Sequence, residues 1–407
     1  MLMIITDMTQ IVHPHSKIVV VGGGFGGVKA ALKLARVAHT HVTLISDKTD
    51  FAYYPQLYHA ATGGSRAEAS IPLTELFAGT PVELVTAKIV GLDEHAKVIT
   101  SADGGRFEYD DLVLALGTVT NYFNIKGLEE FAFNIKTIEG AEKFKLHLHQ
   151  QLIAQHRPDV NYVVVGAGPT GVELAGALSE YLRRITKEHK ASTNYRIDLV
   201  EASARILPHS TARTAAKVAR RLEKLGINIM TSSEVQAATA AGLVLKGQSI
   251  ASRTVVWTAG VANNTFFTSN KRVFETAKNG RIVVDEHLEA KPNIYVIGDN
   301  AATPYCGLAQ TAVGDGSFVA ADITRKLRGA RRPKYHQMAP FPVLPIGDRW
   351  AAATVGPFEL FGYIGWILRR LGDLVAYQDI ESLPRALKVW GLDGKREDNC
   401  PVCGVAV

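Results

Sequence analysis

The sequence places the pattern Gly-x-Gly-x-x-Gly twice, at Gly22, Gly24 and Gly27 and again at Gly166, Gly168 and Gly171. No other feature restricts the fold as strongly. Each copy follows a short β-branched run (17–21 and 162–165) and opens a helical stretch (28–37 and 171–189). A second apolar run closes each unit, at 41–46 and 197–200. Glycine is needed at the three positions for a tight turn, for close approach of a pyrophosphate, and for tight packing of helix on strand. The helix start then presents unpaired N–H groups to the phosphates. Two such β-α-β units predict an α/β chain with two Rossmann-like nucleotide modules. Isolated strand signals at 112–116 and 294–297 each end in glycine.

An acidic side chain is expected where the second strand of each unit ends, about twenty residues after the turn, to hold a ribose. In the first unit Asp47 stands there, with Ser46 the alternative occupant. In the second it is Glu201, a carboxylate that accepts from the ribose hydroxyls and repels a 2′-phosphate. The nearest arginine is Arg205, so NADH is favoured over NADPH. Glu173 lies in the first turn of the second helix. There it reads equally as a carboxylate favoured by the helix dipole or as a polar group near the nicotinamide or a flavin.

At 407 residues the chain has room for two or three domains. With 47% hydrophobic and 21% charged residues it reads as folded rather than disordered. A net charge of +6 suits an anionic partner, but many ordinary proteins share it, and no nucleic-acid partner is expected. The three cysteines, Cys306, Cys400 and Cys403, are too few for a disulfide framework, which points to a reducing compartment. Residues 1–16 carry no signal-peptide pattern, and no apolar run reaches membrane-span length, so any membrane contact is expected to be peripheral.

Further motifs complete the picture: VVVGGGFGG at 19–27, FAYYPQLYHAATG at 51–63, YDDLVLALGT at 109–118, VVVGAGPTGVELAGAL at 163–178, VVWTAGV at 255–261, IYVIGDNA at 294–301 and AQTAVGDG at 309–316. In this order they resemble the pyridine-nucleotide flavoproteins of glutathione-reductase-like fold, and among these the type II NADH dehydrogenases. The resemblance runs over about 17–335. It implies a discontinuous FAD-binding domain (16–125 and 285–335), an NADH-binding domain (155–265) and a C-terminal amphipathic segment (336–407). It further implies that Asp299 bonds the ribityl chain of FAD, and that Gly117 and Thr118 lie where the chain crosses near the flavin. Gly260 falls in a cofactor-site motif, and residues 55–58 resemble a flavin-pocket lining in which Tyr58 reads equally as core. Ala309, Gln310 and Thr311 would begin a helix against the isoalloxazine ring, where the helix dipole favours negative charge. The catalytic expectation falls on Glu173, Gln310 and Thr311, with no metal.

The chain departs from the family at Gly314 and Asp315, where a pair of glutamines is usual beside quinone and flavin. The glycine widens the space and the aspartate is expected to add charge near the ring. In the tail, where proline becomes frequent from Pro333, the residues Phe358, Phe361, Ile364, Leu368, Leu371 and Val375 recur at helical spacing. A second stretch follows at 383–390. The resemblance favours a membrane-surface helix; packing on the protein itself or on a second subunit is the other reading. Cys400-Pro-Val-Cys403 is half of a zinc site, a dithiol redox pair, or a tail without a role.

The expected activity is transfer of hydride from NADH to FAD, then of two electrons to a membrane quinone without proton pumping. The expected place is the cytoplasmic side of the cell membrane, by peripheral contact; the oligomeric state stays open, although members of the family it resembles are often homodimers. A soluble reductase for a protein or thiol acceptor, or a redox-sensing flavoprotein, are the rival readings.

Overall fold

The computed structural model describes residues 15–153, 160–188 and 194–392. Cys400 and Cys403 lie outside them, as do residues 1–14.

The chain opens with β1 (Ser16–Val21), α1 (Phe25–Leu34) and β2 (Thr40–Ser46). β1 and β2 pair in parallel from Ser16↔Thr40 to Val21↔Ile45. Their inner residues are fully buried, as expected of apolar strands covered on both faces. A short helix, α2 (Leu57–Ala60), precedes β3 (Glu83–Thr86) and β4 (Asp111–Leu114), which flank β2 and β1. The chain then leaves along β5 (Thr118–Thr120).

A second parallel sheet follows. It uses β6 (Ala132–Phe133), then α3 (Ile138–Ile153), β7 (Asn161–Val165), α4 (Pro169–Glu188) and β8 (Arg196–Val200). α5 (Ala212–Lys224), β9 (Ile227–Met230) and β10 (Thr254–Trp257) complete it, in the order β6-β10-β7-β8-β9. Thr211 caps α5 by accepting from the Thr214 N–H.

The chain returns along β11 (Val261–Asn263), antiparallel to β5, so that two strands form the passage between the sheets. β12 (Glu289–Lys291) and β13 (Ile294–Val296) then finish the first sheet in the order β12-β13-β4-β1-β2-β3. α6 (Ala309–Leu327) packs on α1. A Cβ on Gly316 would lie 2.2 Å from the Gly26 carbonyl oxygen, so glycine at 316 lets these helices touch backbone to backbone. This approach brings the start of α6 beside the first glycine turn.

The tail departs from its expected form. Phe358 and Phe361 lie not on a helix but on β16 (Phe358–Gly362), which pairs with β15 (Ala351–Val355) and, through it, β14 (Val343–Pro345). Their helical spacing was fortuitous: Gly362 has φ +78°, and the helix begins only after it. α7 (Tyr363–Gln378) and α8 (Leu383–Trp390) follow. α7 is inverted: it buries Gly365, Arg369, Asp373 and Tyr377 and exposes Ile364, Ile367, Leu371 and Val375.

Candidate functional site

The two glycine turns share one construction. Gly22 has φ +115° and Gly166 has φ +99°, conformations that side chains rarely adopt. A Cβ on Gly27 would lie 2.0 Å from the Gly22 carbonyl oxygen, and one on Gly171 would lie 1.8 Å from that of Gly166. The outer glycines are therefore demanded by the protein's own packing. The central ones are not: Gly24 and Gly168 have nothing within 4 Å of a built Cβ. Each turn thus keeps open space in front of a helix start. That of α1 has no side-chain cap, leaving its N–H groups for an anion.

The strand ends differ. Ser46 is buried, its Oγ accepting from the Lys48 N–H at 3.1 Å, whereas Asp47 is exposed. Glu201 is bound to its own turn: Oε2 accepts from the Ala167 N–H and Oε1 from the Ser203 N–H, both at 2.8 Å.

Near the passage between the sheets, Gly117 has φ +66° and open space, and Thr118 donates to Asp299 at 3.3 Å. Asn300 is fully buried and donates to the Gly117 carbonyl at 2.7 Å, which fixes the crossing strand. Gly260 has φ +94°, a backbone conformation that favours glycine whatever the space around it.

Ala309, Gln310 and Thr311 do begin α6, whose first turn also lacks a side-chain cap. Gln310 donates to the Phe341 carbonyl at 3.3 Å and accepts from its N–H at 3.1 Å. The Thr311 hydroxyl bonds the carbonyls of Tyr305 and Leu308. Both side chains are thus engaged by the protein, and the free resource of this turn is its N–H groups. Gly314 is exposed with open space around it. Asp315 corrects the expectation of a charge presented to the ring. It is buried, accepting from the Gly298 N–H at 2.9 Å and from the Tyr335 hydroxyl, so its carboxylate struts the turn that carries Asp299. Burial pushes it up to about 6 against these two hydrogen bonds.

Residues 53–58 run into α2, which packs on α4 of the second unit. Tyr54 is within electrostatic reach of Asp299, and Tyr58 within reach of Glu173. Burial pushes the Glu173 carboxyl up to about 8, against the pull of Arg369. Arg369 comes from α7, pairs with Asp373 and donates to the Pro55 carbonyl at 3.1 Å. Asp373 in turn accepts from the Tyr53 hydroxyl at 2.9 Å. Arg369 and Asp373 are drawn to this segment by the fold of the tail. Their i, i+4 spacing of opposite charges was the available signal. Lys136, which donates to Thr118 at 2.5 Å, carried no signal at all.

Two sheets, the second parallel throughout and the first parallel but for its edge strand β12, each with a glycine turn open at its centre, define a two-dinucleotide oxidoreductase. Residues 16–316 match the pyridine nucleotide-disulphide oxidoreductase family. The chain belongs to this family and, within it, to the type II NADH:quinone oxidoreductases, as its relatives indicate. It is 30% identical to the type II NADH:quinone oxidoreductase Ndh of Mycobacterium tuberculosis, over 86% of this chain and 82% of that one. It is 29% identical to the type II NADH:quinone oxidoreductase of Staphylococcus saprophyticus, over 92% of this chain and 98% of that one. Among solved structures, NDH2 of Plasmodium falciparum in complex with NADH matches with a TM-score of 0.84 at 18% identity, covering 95% of this chain and 99% of that one. The sulfide:quinone oxidoreductase of Aquifex aeolicus matches at 0.75 and 20% identity, over 90% and 92%. These last two likenesses concern the fold.

Proposed function

We propose that this enzyme oxidises NADH with FAD as its cofactor and passes the two electrons to a membrane quinone, without proton pumping. The observation that carries the reading is the segment 53–58, which lies within electrostatic reach of Asp299 in the first unit and runs into α2, packed on α4 of the second, where Glu173 sits. Two nucleotides laid over the open glycines would meet there.

When bound, FAD supplies hydride acceptance from NADH and two-electron donation to the quinone. The protein's part is to bind, orient and handle the proton. Gly22, Gly24 and Gly27 with the start of α1 hold the FAD pyrophosphate, and Ser46 or Asp47 its adenosine ribose. Asp299, Gly117, Thr118 and the N–H groups from Ala309 to Thr311 take the rest. Gly166, Gly168 and Gly171 hold the NADH pyrophosphate and Glu201 its ribose, with Gly260 shaping the entrance. Glu173, protonated at neutral pH by its raised pKa, can give a proton as quinone becomes quinol. The overall balance is NADH, one proton and quinone to NAD⁺ and quinol.

The domain limits that go with this reading are 16–125 with 285–335 for FAD, 155–265 for NADH, and 336–407 for the tail. The tail lies on the membrane from the cytoplasmic side. Support comes from Ile364, Ile367, Leu371 and Val375 on α7 with Leu383 and Leu387 on α8, all exposed. No described helix is long and apolar enough to cross a membrane.

The test is anaerobic mixing of the yellow protein with NADH, then a short-chain quinone, following flavin absorbance. Bleaching followed by recovery is expected. Bleaching without recovery removes quinone from the reading, and no bleaching removes NADH.

A further inference from the structure

We propose that Lys136, contributed from the NADH-binding side of the molecule, is a positioning residue for FAD and places its positive charge where the flavin end of that cofactor lies. The inference rests on the reading of the first glycine turn as an FAD site.

Lys136 belongs to the segment between β6 and α3, in the second unit. Its ammonium nevertheless reaches across the passage and donates to the Thr118 hydroxyl at 2.5 Å. That hydroxyl donates in turn to the Asp299 carboxylate at 3.3 Å. The relay therefore joins three parts of the chain: the second unit, the crossing strand β5, and the turn after β13. An ammonium has three donors. Thr118 takes one, and no other hydrogen bond of Lys136 is found among the described residues.

The surroundings also favour an anion. Burial pulls the Lys136 ammonium down to about 8, with Asp299 opposing and Arg281 adding to the fall. The groups that face it are thus one carboxylate, one guanidinium and the Thr118 hydroxyl. Arg281 has its Nη1 buried with no hydrogen-bond partner. Two cations against one carboxylate leave a positive excess, with unused donors, in an enclosed place. A structural lysine would be expected to sit beside its carboxylate or in water. This one is held through a hydroxyl, with donors to spare.

Two consequences separate this role from simple domain docking. A cation near the flavin end favours the cofactor when it carries more negative charge, so Lys136 holds reduced FAD more tightly than oxidised FAD. An anionic ligand also returns the ammonium pKa upward, so FAD binding takes up protons above pH 8. Affinity then falls as pH rises through that region.

The experiment compares wild type, Lys136→Met and Lys136→Arg, with FAD as the probe. Apoprotein is titrated with FAD by fluorescence quenching at pH 7 and pH 9, and the flavin midpoint potential is measured on the reloaded proteins. The expected result for Lys136→Met is about tenfold weaker FAD binding at pH 7, and loss of the pH 7 to 9 decline. Its midpoint should also fall by about 30 mV, the equivalent of a tenfold lost preference for the reduced form in a two-electron couple. Lys136→Arg should keep affinity and potential but lose the pH dependence. Wild-type affinity and potential in Lys136→Met would overturn the proposal. So would weaker binding with an unchanged potential in both variants, which marks a docking role. Wild-type apoprotein that binds no FAD would instead overturn the reading of the site itself.

Discussion

At the end of β2 the buried side chain is Ser46, already hydrogen bonded to its own chain, and the neighbouring carboxylate of Asp47 points to solvent. At the end of β8 the carboxylate of Glu201 is drawn back against its glycine turn by two N–H groups. The backbones before these ends are close copies, down to a first glycine of positive φ and a third that abuts the first. The two units therefore agree at the turn proposed to hold a pyrophosphate and part at the strand end proposed to hold a ribose. A turn that must admit a backbone contact has few solutions, while a ribose can be met by a fixed carboxylate or by an exposed one.

The largest effect should come from the outer glycines, where both units should fail alike. Gly27→Ala or Gly171→Ala places a methyl group within 2.0 Å of a carbonyl oxygen, a clash that no flexible side chain relieves. Each should cost about 3 kcal/mol or more, the upper range of overpacking, read as denaturant midpoints. Gly24→Ala and Gly168→Ala should stay within about 0.5 kcal/mol of wild type. The larger Gly24→Val should give a folded but colourless protein, and Gly168→Val a yellow one that NADH no longer bleaches. Colour loss from Gly168→Val would break the assignment of cofactors to turns.

Glu201 offers the next test. Glu201→Gln keeps an acceptor but loses the charge, and should raise the KM for NADH about tenfold, given about 1.5–3 kcal/mol for hydrogen bonds to charged groups. Glu201→Arg should lose NADH more severely and improve NADPH relative to it. Unchanged preference in Glu201→Arg would mean that the ribose lies elsewhere.

Glu173 sharpens the comparison by pH, since the first unit has no buried carboxyl at its matching place: Lys29 stands two residues after Gly27. Its folded pKa of about 8 exceeds the ordinary carboxyl value of 4.5. Between those values the folded protein holds the extra proton, so stability falls as pH rises through this window and levels above 8. Glu173→Gln should remove that slope, so that its denaturation midpoint gains on wild type from pH 5 to pH 8. If proton donation limits the acceptor step, the wild-type rate should also fall about tenfold per pH unit above 8, and the variant's should not. Parallel stability profiles would place the titrating group elsewhere.

The glycine turns and their strands were legible because spacing and β-branched runs are local, and the sheets bear them out from 16 to 46 and from 161 to 200. The tail was less legible. Phe358 and Phe361 keep helical spacing with Ile364, yet strand pairing with β15 decides their state. Lys136 and the strut Asp315–Tyr335 could not be read at all, because each joins residues that only the finished fold brings together.

The smallest effect separates Ser46 from Asp47. The Ser46 hydroxyl accepts from the Lys48 N–H and packs where a Cβ on Gly23 would meet it at 2.9 Å. Ser46→Ala should therefore act on the loop, costing about 1 kcal/mol in stability and leaving FAD affinity nearly unchanged. Asp47, exposed, has no such duty. If it binds the adenosine ribose, Asp47→Ala should weaken FAD by about three- to tenfold at unchanged stability, a modest loss because solvent competes for the same hydroxyls. The reverse pattern, with affinity lost in Ser46→Ala and kept in Asp47→Ala, would make the first unit hold its ribose with a hydroxyl. The contrast with Glu201 would then lie in the chemistry of the acceptor rather than in its exposure.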